Sequence, residues 1–222
     1  MIPAGHFLDN LRARAFCDAL ATLAGKSWGD PSTREELARR LAPHDPPDRA
    51  EQMLSAQSNC AIVTCAALFE AGIDGMVRAW RGKITCDPLR EPRWGHYDAI
   101  MYAQHLARQR GAWRTPQLGQ RPDLPAGSFA LIGGGPEHGG AAHMINVVDV
   151  LDDGTLRAVE GGKFDAGNPR KSPENCTAVE VDHRRIYEQP GGSWWIGDAS
   201  PQKPGRRLIG WCWVGDLPGV AS

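Results

Sequence analysis

Two cysteines lie five positions apart in the stretch AQSNCAIVTCAALFEAG, residues 56–72, and they differ in the chemistry open to them. Cys60 follows Ser58 and Asn59, either of which is a good N-cap, so its thiol is predicted in the first turn of an apolar helix. Unpaired backbone N–H groups and the helix dipole favour an anion there, which favours both a reactive thiolate and an oxyanion site. Cys65 lies about 140° further around the helix and is expected to be a core residue.

A cysteine nucleophile needs a base, and His143 is the best-placed histidine in the sequence. It opens the strand pattern HMINVVDV directly after a glycine-rich loop. Alternation predicts that His143, Ile145 and Val147 share one face of this strand, while Met144 and Asn146 lie on the other.

The expected hairpin partner of this strand supplies a third group. An Asp-Gly turn separates HMINVVDV from TLRAVEGG, and antiparallel pairing across that turn brings Glu160 close to His143. A carboxylate at this position could orient the imidazole and stabilise its cation. The sequence therefore predicts Cys60, His143 and Glu160 as nucleophile, base and orienting acid.

Other chemistries fit the spacing less well. His138 and His143 with Glu137 or Cys176 match none of the common zinc patterns, and no CxxC pair exists, so no metal site is predicted. The stretch GGGPEHGG lacks the Lys-Ser/Thr of a phosphate-binding loop and precedes a strand. His183 falls within a strand pattern, where an exposed or paired side chain is expected. We expect no cofactor.

Residues that could contact a substrate are fewer. Gln57 or Asn59 could add an oxyanion donor beside Cys60. Trp194 and Trp195 could form a stacking or sugar-binding rim, and the alternative is that they pack in the core and at strand edges.

Composition limits the class of protein. The chain of 222 residues is 41% hydrophobic and 23% charged, with a formal net charge of -1, which is typical of a globular protein. Neither nucleic acid nor an anionic membrane is expected as a partner, and no apolar run is long enough for a transmembrane helix. The six cysteines are expected to be reduced and mostly buried, with a disulfide between Cys176 and Cys212 left open.

The elements that must position the three residues change in kind along the chain. Helical periodicity is found over 6–24, 59–71 and 97–110, whereas short β-branched and aromatic runs divided by Gly, Pro and Asp begin at residue 122. This order predicts an α+β fold, with N-terminal helices packed on a C-terminal antiparallel sheet of about five or six strands.

We expect a single catalytic domain over 1–222. Its N-terminal part, 1–55, is predicted to be a helical extension. Residues 56–115 carry the Cys60 helix and the helices that follow, and 122–218 form the sheet with His143 and Glu160.

The segments NCAIVTCAALFEAGI, PAGSFALIGG and AAHMINVVDVLDDGTLRAVEGG together resemble the CHAP and NlpC-type branch of the papain-like cysteine amidases and endopeptidases. The resemblance covers about 90 of the 222 residues. It implies a papain-like fold with Cys60 as the nucleophile, His143 as the base and Glu160 as the orienting acid.

The resemblance also implies a function. The expected activity is amide hydrolysis in peptidoglycan stem peptides, by a secreted antibacterial effector or a phage-type lytic enzyme. The alternatives are a papain-like protease or deamidase acting on proteins, and a catalytically inactive binding module. The N-terminal residues show no Sec signal, so synthesis in the cytoplasm with export by a dedicated secretion system, or release by lysis, is expected. An effector would imply an immunity protein as a partner.

Overall fold

The computed structural model describes residues 10–27, 29–33, 35–36, 59–73, 104, 107–133, 143–163, 178–198 and 205–217. Within them, two longer helices precede seven strands. The helices are α1 (Leu11–Leu23) and α2 (Asn59–Glu70). The strands are β1 (Trp113–Arg114), β2 (Ser128–Gly133), β3 (His143–Val150), β4 (Leu156–Lys163), β5 (Ala178–Gln189), β6 (Ser193–Asp198) and β7 (Arg206–Trp213), and a 3-10 turn follows at Val214–Asp216.

The two helices form for different reasons. Helix α1 is amphipathic and begins where the Asn10 side chain accepts hydrogen bonds from the backbone N–H groups of Arg12 and Ala13, at 3.1 and 3.2 Å. Helix α2 is apolar along most of its length, as the sequence NCAIVTCAALFE predicts for a central helix. Of the predicted helix over 97–110, the structure describes residues 104 and 107–110, and all of these except residue 110 are helical.

The strands pair antiparallel throughout, in the order β1-β7-β2-β3-β4-β5-β6. Strand β6 also pairs with β7, through Trp195 opposite Arg207 and Ile196 opposite Arg206. Strands β2 to β7 therefore close into a six-stranded barrel, and the two-residue β1 extends beside the other end of β7.

The fold is thus α+β, as predicted, and the sheet is its larger part. The prediction of about five or six strands is corrected to seven within the described residues. Strand β1 is too short to give a period-2 signal, and the pairing of β6 with β7 is set by the curvature of the whole sheet.

Strands β2, β3 and β4 pack one face inside the barrel and the other against the helices. On β2, Ala130 and Ile132 belong to the inner cluster, whereas Phe129 and Leu131 belong to the cluster beneath α1 and α2. The inner cluster contains Leu124, Ala130, Ile132, Ile145, Val147, Leu156, Ala158, Trp194, Ile196, Leu208 and Trp211. Because both faces are buried, β2 reads as a continuous apolar run.

The hairpin of β3 and β4 has the predicted turn and register. Gly154 adopts a φ of +76° in the turn, and Asn146 pairs with Val159. The predicted faces of β3 also hold, since Ile145 and Val147 lie in the inner cluster and Met144 lies beneath the helices.

The described residues also bear on two further expectations from the sequence. None of the described helices is long and apolar enough to cross a membrane. Cys212 is a buried free thiol, so the disulfide with Cys176 that the sequence left open is not formed.

Candidate active site

The Cys60 thiol lies at the beginning of α2. Cys60 is the second residue of the helix, so its backbone N–H is among the first four, which have no acceptor within the helix. The residue is 7% exposed, and its side chain is hydrogen-bonded to His143. This position gives the sulfur a neighbouring base and a set of N–H donors directed away from the helix.

His143 is the first residue of β3, and its imidazole lies between Cys60 and Glu160. Nε2 lies 2.9 Å from Glu160 Oε2, which leaves Nδ1 as the ring nitrogen available to the thiol. Burial disfavours the charged imidazole, but the hydrogen bonds and charges of Cys60 and Glu160 outweigh it and raise the pKa of His143 to about 9. The site therefore favours the charged imidazolium of His143.

Glu160 is a fully buried carboxylate near the end of β4. Burial alone would favour its neutral form, yet hydrogen bonds and charges from His143 and Arg184 hold its pKa well below the usual range. Alternation places it on the same face of β4 as Ala158, whose side chain lies in the inner cluster. The barrel thus provides an ionised acid away from water.

Arg184 on β5 binds both oxygens of Glu160. Its Nε donates to Oε1 at 2.7 Å, and its Nη2 donates to Oε2 at 2.8 Å. The same Nη2 lies 3.0 Å from Asp182 Oδ2, and Nη1 is paired with Asp198 on β6. The charged cluster therefore extends from His143 across β4 and β5 to β6.

A second set of buried polar groups joins α2 to the hairpin one helical turn from Cys60. Thr64 Oγ1 donates to Asn146 Oδ1 at 2.7 Å, with the Cys60 carbonyl oxygen at 3.2 Å. Asn146 Nδ2 then donates to the Val159 carbonyl at 3.0 Å. These bonds fix the helix that carries the thiol relative to the strands that carry the base and the acid.

Of the remaining predicted site residues, two are not described at their side chains and two lie in β6. The described residues do not include Gln57, and although Asn59 begins α2, its side chain is not among the described groups. Trp194 is 8% exposed in the inner cluster, and its Nε1 donates to the Gln117 carbonyl at 3.0 Å.

Trp195 lies on the opposite face of β6 from Trp194, so the two indoles do not share a surface. Its Nε1 donates to Ser193 Oγ at 3.0 Å. Trp194 borders two cavities of about 520 Å³ each, and their walls include neither Cys60, His143 nor Glu160.

Among the described cysteines, Cys60 alone has a histidine beside its thiol. Burial raises the pKa of the Cys17 thiol to about 11 and raises that of Cys212 well above its usual range. The groups weighed for zinc with His143, namely Glu137, His138 and Cys176, lie outside the described residues, and the side chain of Cys65 is not described either.

Comparison of the chain with protein-family models, with curated proteins and with solved structures gives no match in any of the three.

Sequence reasoning missed Thr64, Asn146 and Arg184. A polar Asn in the apolar run MINVV was one available signal, since a buried amide requires hydrogen-bond partners. The other was the period-2 placement of Asp182 and Arg184 on the face of β5 that also carries Ile186, which packs against the inner cluster.

Proposed function

We propose that this chain is a cysteine hydrolase of papain-like fold that cleaves an amide bond by acyl transfer. The observation that carries the proposal is the contact of Cys60, at a helix start, with His143, whose imidazole is bound to a buried carboxylate of Glu160. Nucleophile, base and orienting acid are the groups that covalent amide hydrolysis requires. A cysteine helix packed on an antiparallel sheet that carries the histidine supports the papain-like assignment.

The first half of the reaction forms an acyl-enzyme. His143 accepts the Cys60 proton, and the thiolate attacks the carbonyl carbon of the amide. The N–H groups at the start of α2 stabilise the oxyanion of the tetrahedral intermediate. His143 then donates its proton to the leaving nitrogen, the C–N bond breaks, and a thioester on Cys60 remains.

The second half consumes water. His143 accepts a proton from a water molecule, the hydroxide attacks the thioester carbon, and the C–S bond breaks. The acid product leaves, and the proton on His143 restores the thiolate–imidazolium pair. Glu160 keeps its charge throughout and holds the imidazole in one orientation.

The cause of the raised pKa of His143 suits this sequence of proton transfers. Hydrogen bonding to Cys60 is the largest of the effects that raise it, ahead of Glu160. When the sulfur bonds to carbon, its negative charge is lost, and the imidazolium becomes a stronger acid. Proton donation to the leaving nitrogen is therefore favoured after attack and disfavoured before it.

For the substrate we propose peptidoglycan stem peptides, on the basis of the resemblance to CHAP and NlpC-type amidases. Asn59 and Gln57 are proposed as oxyanion donors. Trp194 and Trp195 are not proposed as substrate contacts, because Trp194 is buried inside the barrel and Trp195 lies on the other face of β6. An antibacterial effector of this kind would need dedicated export or release by lysis, and an immunity protein in the producing cell.

Digestion of purified peptidoglycan tests the proposal, with the products identified by mass spectrometry. We expect new termini with the wild type and none with Cys60→Ala. Cys17→Ala is the matched control, because it removes a thiol that has no histidine beside it, and it should digest like the wild type. Activity in Cys60→Ala would overturn the mechanism.

Two other results redirect the substrate assignment. Absence of peptidoglycan products together with Cys60-dependent cleavage or deamidation of proteins would assign a protein substrate. Absence of both, with an unreactive Cys60, would assign a binding module.

A further inference from the structure

The Glu160 carboxylate has an unusual environment for a buried acid. It is fully buried, yet both of its oxygens receive charged donors, Oε1 from Arg184 and Oε2 from Arg184 and His143 together. A carboxylate removed from water is stable as an anion only when paired and hydrogen-bonded. His143 binds one of the two oxygens, whereas Arg184 binds both.

We infer that Arg184 is a positioning residue, which holds Glu160 ionised and in the orientation that His143 needs. The inference deepens the proposed function and rests on it, since Arg184 is assigned no contact with Cys60 or with a substrate. Its effect on the thiol passes through Glu160 and His143.

The three guanidinium nitrogens of Arg184 bind three carboxylates. Nε and Nη2 form a two-point bond to Glu160, while Nη1 pairs with Asp198 and Nη2 also reaches Asp182. A planar guanidinium that makes two parallel hydrogen bonds fixes the angle of a carboxylate. A lysine ammonium acts as a point charge and fixes that angle poorly. The two aspartates in turn fix the plane of the guanidinium.

The register of the sheet places Arg184 several residues away from Glu160 along the strands. Arg184 lies opposite Leu156 in the pairing of β4 with β5, and Glu160 is four residues further along β4. The offset is about 13 Å along the strand, so the Arg184 side chain extends along the barrel to reach the carboxylate. Its partner Asp198 comes from β6, the strand that closes the barrel.

The charged groups described around Glu160 come from several elements, and the exposed Glu180 on β5 lies opposite Glu160 in the pairing of β4 with β5. Cys60 lies on α2, His143 on β3, Arg184 and Asp182 on β5, and Asp198 on β6. Without Arg184, the buried carboxylate would keep two aspartates nearby and lose its main cation, which favours its neutral form. A neutral Glu160 no longer stabilises the His143 cation, and the thiolate of Cys60 loses its counter-ion.

The test measures the rate at which iodoacetamide alkylates Cys60 as a function of pH, read on the Cys60 peptide by mass spectrometry. The full chain is used as wild type, Arg184→Lys and Arg184→Gln. Both variants should have the midpoint of the pH profile about one unit higher. At a pH below the wild-type midpoint they should react about tenfold more slowly, since one unit there leaves about a tenth of the thiolate.

Arg185 provides the matched control on the adjacent position of β5. It is exposed and forms an ion pair of 3.2 Å with Asp153. Arg185→Lys and Arg185→Gln should react within about twofold of the wild type, as expected for an exposed pair. An Arg184→Lys profile equal to the wild type would overturn the inference.

A double-mutant comparison separates action through Glu160 from a direct effect. Glu160→Gln should also slow alkylation, and adding Arg184→Lys should slow it by less than about threefold more, because the shared pathway is already lost. A further tenfold loss in the double variant would overturn the inference. So would loss of the far-UV circular dichroism of the fold in both Arg184 variants, since the role would then be structural.

The assay also distinguishes this inference from the proposed function. A wild-type Cys60 that alkylates no faster than Cys17 would overturn the proposed nucleophile, and the inference with it. A reactive Cys60 with profiles unchanged in the Arg184 variants would overturn the inference alone.

Discussion

Replacement of Thr64 by valine removes one hydroxyl from the buried polar contacts between α2 and the hairpin. Thr64 and Asn146 are both fully buried, and the hydroxyl donates to Asn146 Oδ1 at 2.7 Å. The orientation of the amide is fixed, because its Nδ2 must donate to the Val159 carbonyl. Valine has nearly the same shape, so the substitution leaves Asn146 Oδ1 without its donor and changes the packing little.

The expected cost follows from that unpaired oxygen. A buried acceptor that loses its donor costs about 1–3 kcal/mol, and this position is fully buried. For a chain of this size, each kcal/mol lowers the melting temperature by about 2–4 °C. We therefore expect Thr64→Val to lower the free energy of unfolding by about 1–3 kcal/mol.

Urea unfolding followed by circular dichroism measures this difference, with the midpoint lowered and the slope unchanged. Thr22→Val is the matched control, because that threonine is exposed on α1 and its hydroxyl bonds the Ala19 carbonyl of its own helix at 2.8 Å. The control should change stability by less than about 0.5 kcal/mol. Equal costs at Thr64 and Thr22 would refute the reasoning that the buried contact fixes the helix on the hairpin.

Three further outcomes are expected. The pKa of His143 is raised to about 9 in the folded protein, so the charged imidazole contributes its full stabilisation below about pH 6.5 and loses it as the pH rises towards 9. Over that range, urea titrations should show the wild type losing stability relative to His143→Gln. Gly127 has a φ of +84°, and a methyl group added there would lie 2.8 Å from a side chain of α1, so Gly127→Ala should cost about 2–4 kcal/mol of stability by thermal unfolding. Gly119→Ala, where the space is open, should cost about 1 kcal/mol. Equal costs would contradict the packing of α1 on the turn that contains Gly127. Trp194→Ala should cost about 3–5 kcal/mol because the ring lies inside the barrel, and Trp195→Ala, on the other face, less than half of that; the reverse order would contradict the assigned faces.

The parts of the fold that the sequence predicted are those set by local patterns. The apolar run of α2 and the alternation of β3 are each visible within about a dozen residues, and the Asp-Gly turn fixes how β3 meets β4. His143 and Glu160 are only 17 positions apart on that hairpin, so their contact follows from one turn. The helix-capped Cys60 was expected on the same local grounds.

The closure of the barrel could not be predicted from local sequence patterns. Strand β6 meets β7 through two residue pairs, and their geometry depends on the accumulated twist and bulges of the strands between them. No local pattern in SWWIGD distinguishes an edge strand from one that closes a barrel. The sequence consequently predicted a sheet of about five or six strands, whereas the described part of the chain contains seven.

The requirement for Arg184 follows from the requirement for Glu160, although the sequence reasoning did not take that step. An orienting carboxylate that is buried needs a cation other than the histidine it orients. Strand β5 offers two candidates side by side, Arg184 and Arg185, and composition does not choose between them. Alternation does, because only Arg184 is in phase with Ile186, which packs against the barrel interior, whereas Arg185 is exposed. The period of the strand thus identifies the cation, but only once the acid is known to lie inside the barrel.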